Sequence, residues 1–260
     1  SGTSADGIDG VVVNFKRKRI DIKAKTRLKI PKKIKDEILS YRKNKDLNIK
    51  DLYELDYDLS MLFSDCVKKL LKESGIKSSQ IEAIGSHGQT IHHSPDTKKP
   101  FTLQITDPNI ISTQTGIRTV SDFRRMDIAS GGQGAPLAPI FHQEFLSKKN
   151  KIIAVINIGG IANISILDGK NNELLGFDSG PGNCLMDEWI REKRNKNYDD
   201  KGKIASSGET NIIILKKLLN DNFFKKAPPK STGTEVYNLC WLKNKVPKIE
   251  KRSEERRVGK

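Results

Sequence analysis

The sequence predicts a mixed α/β protein of two lobes. Strand patterns and helix patterns occur in two successive rounds, and the residues between the rounds, near position 147, are polar and loop-like. The chain of 260 residues is long enough for two cores of ordinary size. We therefore expect a first lobe at 1–147 and a second at 148–249, with ligand chemistry in the cleft between them.

The first lobe opens with two predicted strands. Residues 11–15 are an apolar run, and residues 19–30 place apolar side chains at every second position. A helix is expected to begin at Pro31, whose fixed φ suits a first helical position. Apolar residues three and four apart predict a long helix at Ile49–Ser74, which Gly75 ends.

The remainder of the first lobe is predicted to contain short strands and helices. Buried or half-buried strands are expected at 81–86, Phe101–Ile105 and 118–122. Helices are expected at 109–115, ended by Gly116, and at Ala138–Leu146.

The second lobe is predicted to open with a hairpin. Residues 151–158 form a near-continuous apolar run, which is typical of a buried central strand, and Gly159 and Gly160 supply a tight turn. The further strands are expected at 161–167 and 173–177, and helices at 183–194 and 211–224. This is few strands for an ordinary domain, so the lobe is interpreted as incomplete. The charged, aperiodic tail at 250–260 is interpreted as non-native or disordered.

Composition favours a cytoplasmic protein. No stretch approaches ~18 uncharged apolar residues, as a membrane span needs. The chain shows no basic segment followed by an apolar one, as a secretory leader has. Its three cysteines, Cys66, Cys184 and Cys240, lack paired spacing, which fits a reducing compartment.

The formal charge of +15 could indicate nucleic-acid binding, but the pattern of residues does not support it. Aromatic residues make up only 6% of the chain and do not interleave with the lysines, as a base-stacking surface requires. We expect no nucleic-acid partner. An acidic small substrate, such as a nucleotide or a carboxylated sugar, would be attracted by the same field.

The segment 176–183 is the strongest candidate for catalysis. It places Asp178 among glycines, in a predicted turn between a strand and a helix. A carboxylate held there can take a proton from a hydroxyl group or a water, which is the work of a general base. The alternative is an ordinary helix start that Ser179 or Asp178 caps.

Two other glycine-containing turns are candidate phosphate sites. Residues 1–10 offer backbone N–H groups and hydroxyls, and Asp6 or Asp9 could hold Mg²⁺ through water. Gly159 and Gly160 could bring backbone amides against a phosphate. In both cases an ordinary tight turn is the alternative.

Paired arginines mark a candidate site for an anionic group. Arg124 and Arg125 are predicted at a strand end, before a glycine-rich loop at 131–134, and would suit a carboxylate or phosphate. The alternative is surface arginines that pair with Asp122 and Asp127. Residues 85–90 form another polar turn, where a hydrogen-bonding role is favoured over a metal site.

Seven short motifs in a fixed order resemble the anhydro-N-acetylmuramic acid kinase family. They lie at 1–9, 87–90, 122–125, 131–136, 157–163, 178–183 and 227–233. The resemblance implies a two-lobed, actin- and hexokinase-like (ribonuclease H-like) fold, each lobe being a mixed sheet packed by helices. It also implies ATP-dependent opening of the 1,6-anhydro ring of anhydro-N-acetylmuramic acid with phosphorylation at O6. The product is N-acetylmuramic acid 6-phosphate, in bacterial peptidoglycan recycling.

The resemblance also implies roles for individual residues. Asp178 corresponds to the base that activates water for attack on the anomeric carbon, after which O6 attacks the γ-phosphate of ATP. The nucleotide-binding segment corresponds to Gly2, Thr3, Ser4, Ala5, Asp6, Gly7, Ile8 and Asp9, with Gly159 and Gly160 as a second candidate hairpin. We assign the sugar and its lactyl carboxylate to Gln89, Arg124, Asp127 and Gln133, and Mg²⁺ to Asp6 and Asp9.

The chain departs from the family pattern at both ends. The strand expected before Ser1 and the segment expected after about Leu242, which holds the adenosine, are missing. An inactive fragment that binds the sugar without turnover is therefore the alternative. A homodimer is also considered.

Overall fold

The structure is a computed structural model that describes residues 5–16, 19–43, 48–95 and 97–247. The chain divides into two compact units, Ser1–Leu137 and Ala138–Lys260. The predicted tail at 250–260 lies outside the described residues. Within the described residues, no helix is both long enough and apolar enough to cross a membrane.

The first unit begins with a long antiparallel hairpin and two helices. Strand β1 (Gly7–Lys16) pairs with β2 (Arg19–Lys29) along its whole length. Helix α1 (Lys32–Lys43) follows, one residue later than predicted. Helix α2 spans Ile49–Ser74 as predicted. The Asn48 side chain accepts the Lys50 amide at its start, and the helix ends at Gly75, whose φ of 68° suits a residue without Cβ.

Two further pairs of strands complete the first unit. The short strands β3 (Ile84–Gly85) and β6 (Thr119–Val120) are parallel, and each is shorter than predicted. Strands β4 (Gln89–Ser94) and β5 (Phe101–Ile105) are antiparallel. Helix α3 (Pro108–Thr115) ends at Gly116 as predicted, and α4 (Phe123–Ala129) follows β6.

Strand β4 and helix α4 were missing from the sequence prediction for different reasons. The residues of β4 are mostly polar, so they lack the apolar alternation that indicates a strand. Helix α4 has only seven residues, and Asp122 before it has a φ of 64°, which is not a standard helix start. The core of this unit lies between α2 and the strands, and its buried residues are Ala5, Ile8, Ile30, Ile38, Leu55, Leu59, Phe63, Cys66, Ile91, Ile105 and Ile111.

The second unit contains a three-stranded antiparallel sheet. Helix α5 (Ala138–Leu146) precedes β7 (Ile152–Ile158), β8 (Ile161–Asp168) and β9 (Glu173–Pro181), and the strand order is β7-β8-β9. The predicted hairpin at Gly159 and Gly160 is confirmed. Helix α5 packs on β8 and β9, so the division of the chain lies before this helix, whereas the predicted boundary followed it.

Among residues 182–247, four α-helices follow the sheet, whereas two were predicted. They are α6 (Cys184–Arg194), α7 (Ile212–Leu219), α8 (Asn222–Lys225) and α9 (Leu239–Lys245). The single helix predicted at 211–224 is broken at Asn220, because the Asp221 side chain accepts the Phe223 amide and so begins α8. Helix α9 was not predicted.

The prediction of a buried central strand at 151–158 was wrong. Strand β7 lies at one edge of the sheet, and Ile152, Ile156 and Ile158 are 64%, 62% and 70% exposed. A continuous apolar run is expected where both faces of a strand are covered. Within the described residues of this unit, the face that carries these side chains has no such cover.

Candidate active site

Asp178 lies on strand β9 rather than in a turn, which corrects the sequence prediction. Asn163 pairs with Asp178 and Ala162 pairs with Gly180, so Ser179 is an extra residue in a β-bulge. The Ser179 hydroxyl donates to the Ala162 carbonyl oxygen at 3.1 Å. Bulges bend a strand locally and can redirect a side chain, and this one directly follows Asp178.

The alternative of a helix cap at this position is also wrong. Helix α6 begins after Asn183, and no side chain caps it. Carbonyl oxygens of the β7–β8 turn accept hydrogen bonds from the amides at the start of this helix. The Asn183 amide donates to Gly159 at 2.8 Å, and the amides of Gly182 and Cys184 donate to Gly160 at 2.9 and 3.2 Å. The turn therefore contributes carbonyl oxygens to α6.

Asp178 is buried and held by a distant part of the chain. Only 6% of its surface is exposed. Its carboxylate oxygen Oδ2 accepts the Thr232 amide at 2.9 Å, and its own amide donates to the Lys230 carbonyl oxygen at 2.9 Å. A buried carboxylate with this hydrogen bond has a defined orientation, which a general base requires.

Residues 230–232 have no role in the sequence prediction. They lie in the motif at 227–233, whose only side chains with catalytic chemistry are a lysine and two hydroxyls, and membership of that motif was the one indication of a role. Their contact with Asp178 spans more than fifty positions in the chain, so no local pattern reveals it.

The amino-terminal candidate segment is partly described. Gly2, Thr3 and Ser4 lie outside the described residues. Gly7, Ile8 and Asp9 belong to β1 rather than to a turn, because this end of β1 pairs with the far end of β2. Ala5 is fully buried, with a φ of 49°.

The two carboxylates of this segment contact cations. Asp6 pairs with Lys35, and Asp9 lies 3.6 Å from Arg27 Nε. Both aspartates are exposed. Among the described residues, no group of three or more His, Cys, Asp and Glu side chains could hold a metal ion by itself. A magnesium ion at Asp6 and Asp9 would thus depend on phosphate and water for its other ligands.

Arg124 and Asp127 lie on helix α4 and hold the glycine-rich loop. Arg124 Nη1 donates to the Gly134 carbonyl oxygen at 2.8 Å, and Asp127 Oδ2 accepts the Gly134 amide at 2.7 Å. A Cβ at Gly132 would lie 2.3 Å from Asp127 Oδ2, so a side chain there would displace the carboxylate that accepts the Gly134 amide. Arg125 pairs with Asp122 at 3.3 Å on the surface. Gln133, in the same loop, is half-buried.

Residues 87–89 lie beside this helix in the same unit. Gln89 is fully buried, and its amide nitrogen donates to the Thr90 carbonyl oxygen at 3.3 Å. The protein atoms around His87 displace water from its ring and so disfavour the charged form. Together with nearby positive charges that include Arg124, they lower the pKa of His87 to about 4. This imidazole is therefore neutral at pH 7.

Some of the predicted residues lie together, in two sets. Arg124, Asp127 and Gln133 share one loop and helix of the first unit. Asp178, Gly159 and Gly160 lie at the same end of the β8–β9 pair in the second unit.

Comparison with known proteins identifies relatives along the whole chain. The family model described as anhydro-N-acetylmuramic acid kinase matches residues 1–258. A protein of that name from Haemophilus influenzae is 44% identical over 249 residues, which cover 96% of this chain and 65% of that protein. The one from Vibrio cholerae is 46% identical over 246 residues, or 95% of this chain and 66% of that protein. The chain spans about two thirds of the length of these relatives.

Proposed function

The chain belongs to the anhydro-N-acetylmuramic acid kinase family, and on this basis we propose that its protein is an ATP-dependent sugar kinase. The substrate is 1,6-anhydro-N-acetylmuramic acid, and the product is N-acetylmuramic acid 6-phosphate, in peptidoglycan recycling. The observation that carries the proposal is the family match over residues 1–258. The relatives from Haemophilus influenzae and Vibrio cholerae are named as kinases, so an inactive sugar-binding fragment is not favoured.

We propose that Asp178 is the general base. It removes a proton from water, the water oxygen bonds to the anomeric carbon, and the bond from that carbon to O6 breaks. The released O6 then bonds to the γ-phosphorus of ATP, and ADP leaves. The Thr232 amide on Oδ2 and the low exposure of Asp178 support this role, because they orient the carboxylate and limit its access to bulk water.

The binding residues are proposed from the same family. Residues 2–9 would contact the phosphates of ATP, with the β7–β8 turn at Gly159 and Gly160 as a second contact. Exposed carboxylates at Asp6 and Asp9 fit a Mg²⁺ ion that is held mainly by phosphate and water, and such an ion neutralises charge on the transferred group. The proposed sugar contacts are Gln89, Arg124, Asp127 and Gln133.

Several further features of the protein are proposed together with this function. They are a two-lobed ribonuclease H-like fold, a cytoplasmic location, a homodimer and the absence of a nucleic-acid partner. Both units combine strands with helices, which is compatible with this fold, although the three-stranded sheet of the second unit is antiparallel rather than mixed.

An assay of the complete gene product tests the function. The protein is incubated with the anhydro sugar and Mg-ATP in H₂¹⁸O, and the sugar phosphate is analysed by mass spectrometry. We expect one ¹⁸O atom at C1 and none in the phosphate. Asp178→Asn should lower kcat by at least ~10³-fold, since it removes the base.

The control for this variant is Asp200→Asn, which removes an exposed carboxylate from the same unit. It should retain wild-type activity. Sugar binding without turnover by the wild type would refute the proposed activity, and full activity of Asp178→Asn would refute the proposed base.

A further inference from the structure

The side chain of Lys230 connects the segment that holds Asp178 to helix α8. Its ammonium Nζ donates to the carbonyl oxygens of Phe223 and Phe224 at 3.0 and 3.4 Å. It also lies 4.8 Å from the centroid of the Phe223 ring. Carbonyl groups at the end of a helix and an aromatic face both attract a cation, so this ammonium has a defined position.

The main chain of the same segment brackets Asp178. The Lys230 carbonyl oxygen accepts the Asp178 amide at 2.9 Å, and the Thr232 amide donates to Asp178 Oδ2 at 2.9 Å. Lys230 thus contacts β9 through its backbone and α8 through its side chain. A shift of this residue would move the Thr232 amide relative to the carboxylate.

Helix α8 is itself fixed against β9. The Phe224 ring packs on Gly180, where a Cβ would lie 2.6 Å from ring atom Cε1. The Asp221 side chain accepts the Phe223 amide at 3.0 Å at the start of this helix. Helix α8 therefore holds the Lys230 ammonium in place. The helix contacts β9 at Gly180, which is two residues after Asp178.

We propose that Lys230 is a positioning residue for the catalytic carboxylate. Its ammonium ties residues 230–232 to α8 and so keeps the Thr232 amide on Oδ2 of Asp178. This inference rests on the proposed role of Asp178 as the base. Without the ammonium, the carboxylate samples other rotamers, and fewer encounters have the geometry that proton removal needs.

The test compares two substitutions of Lys230 in the complete gene product. Lys230→Met keeps an unbranched stem but removes the donors, whereas Lys230→Arg keeps a cation with donors. We expect Lys230→Met to lower kcat by ~10- to 100-fold, with KM for sugar and ATP changed by less than about 2-fold. Lys230→Arg should recover most of the loss. Lys226→Met, at an exposed lysine just after α8, is the matched control and should behave as wild type.

Two further measurements separate positioning from general stability. In an Asp178→Asn background, Lys230→Met should cause no further fall in kcat, because the carboxylate that it positions is gone. Hydrogen exchange of the Thr232 amide should be faster in Lys230→Met, while the melting temperature stays within a few degrees of wild type.

The inference is overturned if Lys230→Met leaves kcat unchanged, if it raises only KM, or if Lys230→Arg is no better than Lys230→Met. If the wild type shows no kinase activity, the proposed function fails. The hydrogen-exchange measurement then still tests whether Lys230 holds the Thr232 amide on Asp178. Unchanged exchange of the Thr232 amide in Lys230→Met would then overturn the positioning role as well.

Discussion

At Gly182 the backbone itself leaves no room for a side chain. A Cβ at this position would lie 2.2 Å from the carbonyl oxygen of Gly159. That carbonyl accepts the Asn183 amide, so it cannot move away without breaking the bond that starts α6. The glycine in the motif at 178–183 is therefore explained by a close approach between the β7–β8 turn and the start of the helix.

We expect Gly182→Ala to lower the free energy of unfolding by about 1–3 kcal/mol, because the added methyl group forces the turn and the helix apart. Urea unfolding followed by circular dichroism measures this. Gly208→Ala is the control, since its Cβ would lie 3.6 Å from the nearest atom, an ordinary contact. Equal stability of the two variants would contradict the explanation.

At the scale of elements, Asp221 joins two short helices that have little intrinsic stability. Its carboxylate accepts the Phe223 amide at the start of α8, and it accepts the Trp241 indole N–H at 3.1 Å and the Lys245 ammonium at 3.0 Å from α9. Helices of four and seven residues do not persist alone in water. The shared carboxylate and the aromatic contact between Tyr237 and Trp241 stabilise them together.

This arrangement predicts a pH-dependent contribution to stability. Burial raises the pKa of Asp221, but hydrogen bonds from the Phe223 amide, Lys245 and Trp241 outweigh it, so the pKa is lowered overall. A carboxyl group with a lowered folded-state pKa stabilises the fold above its unfolded pKa of about 3.9, and this contribution is lost as the pH falls through the folded-state value.

We therefore expect Asp221→Asn to lower the free energy of unfolding by about 1–3 kcal/mol at pH 7. The difference from wild type should shrink below pH ~4, where the wild-type carboxylate becomes protonated. Denaturant titrations at several pH values measure it, with Asp200→Asn as an exposed control. A difference that does not change with pH would mean that the charge of Asp221 is not what stabilises α8 and α9.

At the scale of the whole molecule, the chain is strongly basic, with a formal charge of +15. Lysines and arginines occur on most elements of both units, and several pair with acidic residues on the surface. We interpret this distribution as a general attraction for anions, including nucleotides, rather than as a surface for bases.

A nucleic-acid titration tests this interpretation. We expect weak binding to single- and double-stranded DNA at low salt, with no preference for sequence, and no measurable binding at ~200 mM salt. Fluorescence anisotropy with a labelled oligonucleotide measures both. Tight binding that persists at the higher salt concentration would indicate a nucleic-acid function.

Features that have local causes could be predicted from the sequence alone. The ends of α2 follow from Asn48 and Gly75, the β7–β8 hairpin follows from two glycines, and family membership follows from short motifs in order. Two features became evident only from the folded chain: Asp178 lies in a strand beside the Thr232 amide, and β7 is an edge strand. These features depend on contacts between residues far apart in the chain, and local propensity and periodicity contain no information about such contacts.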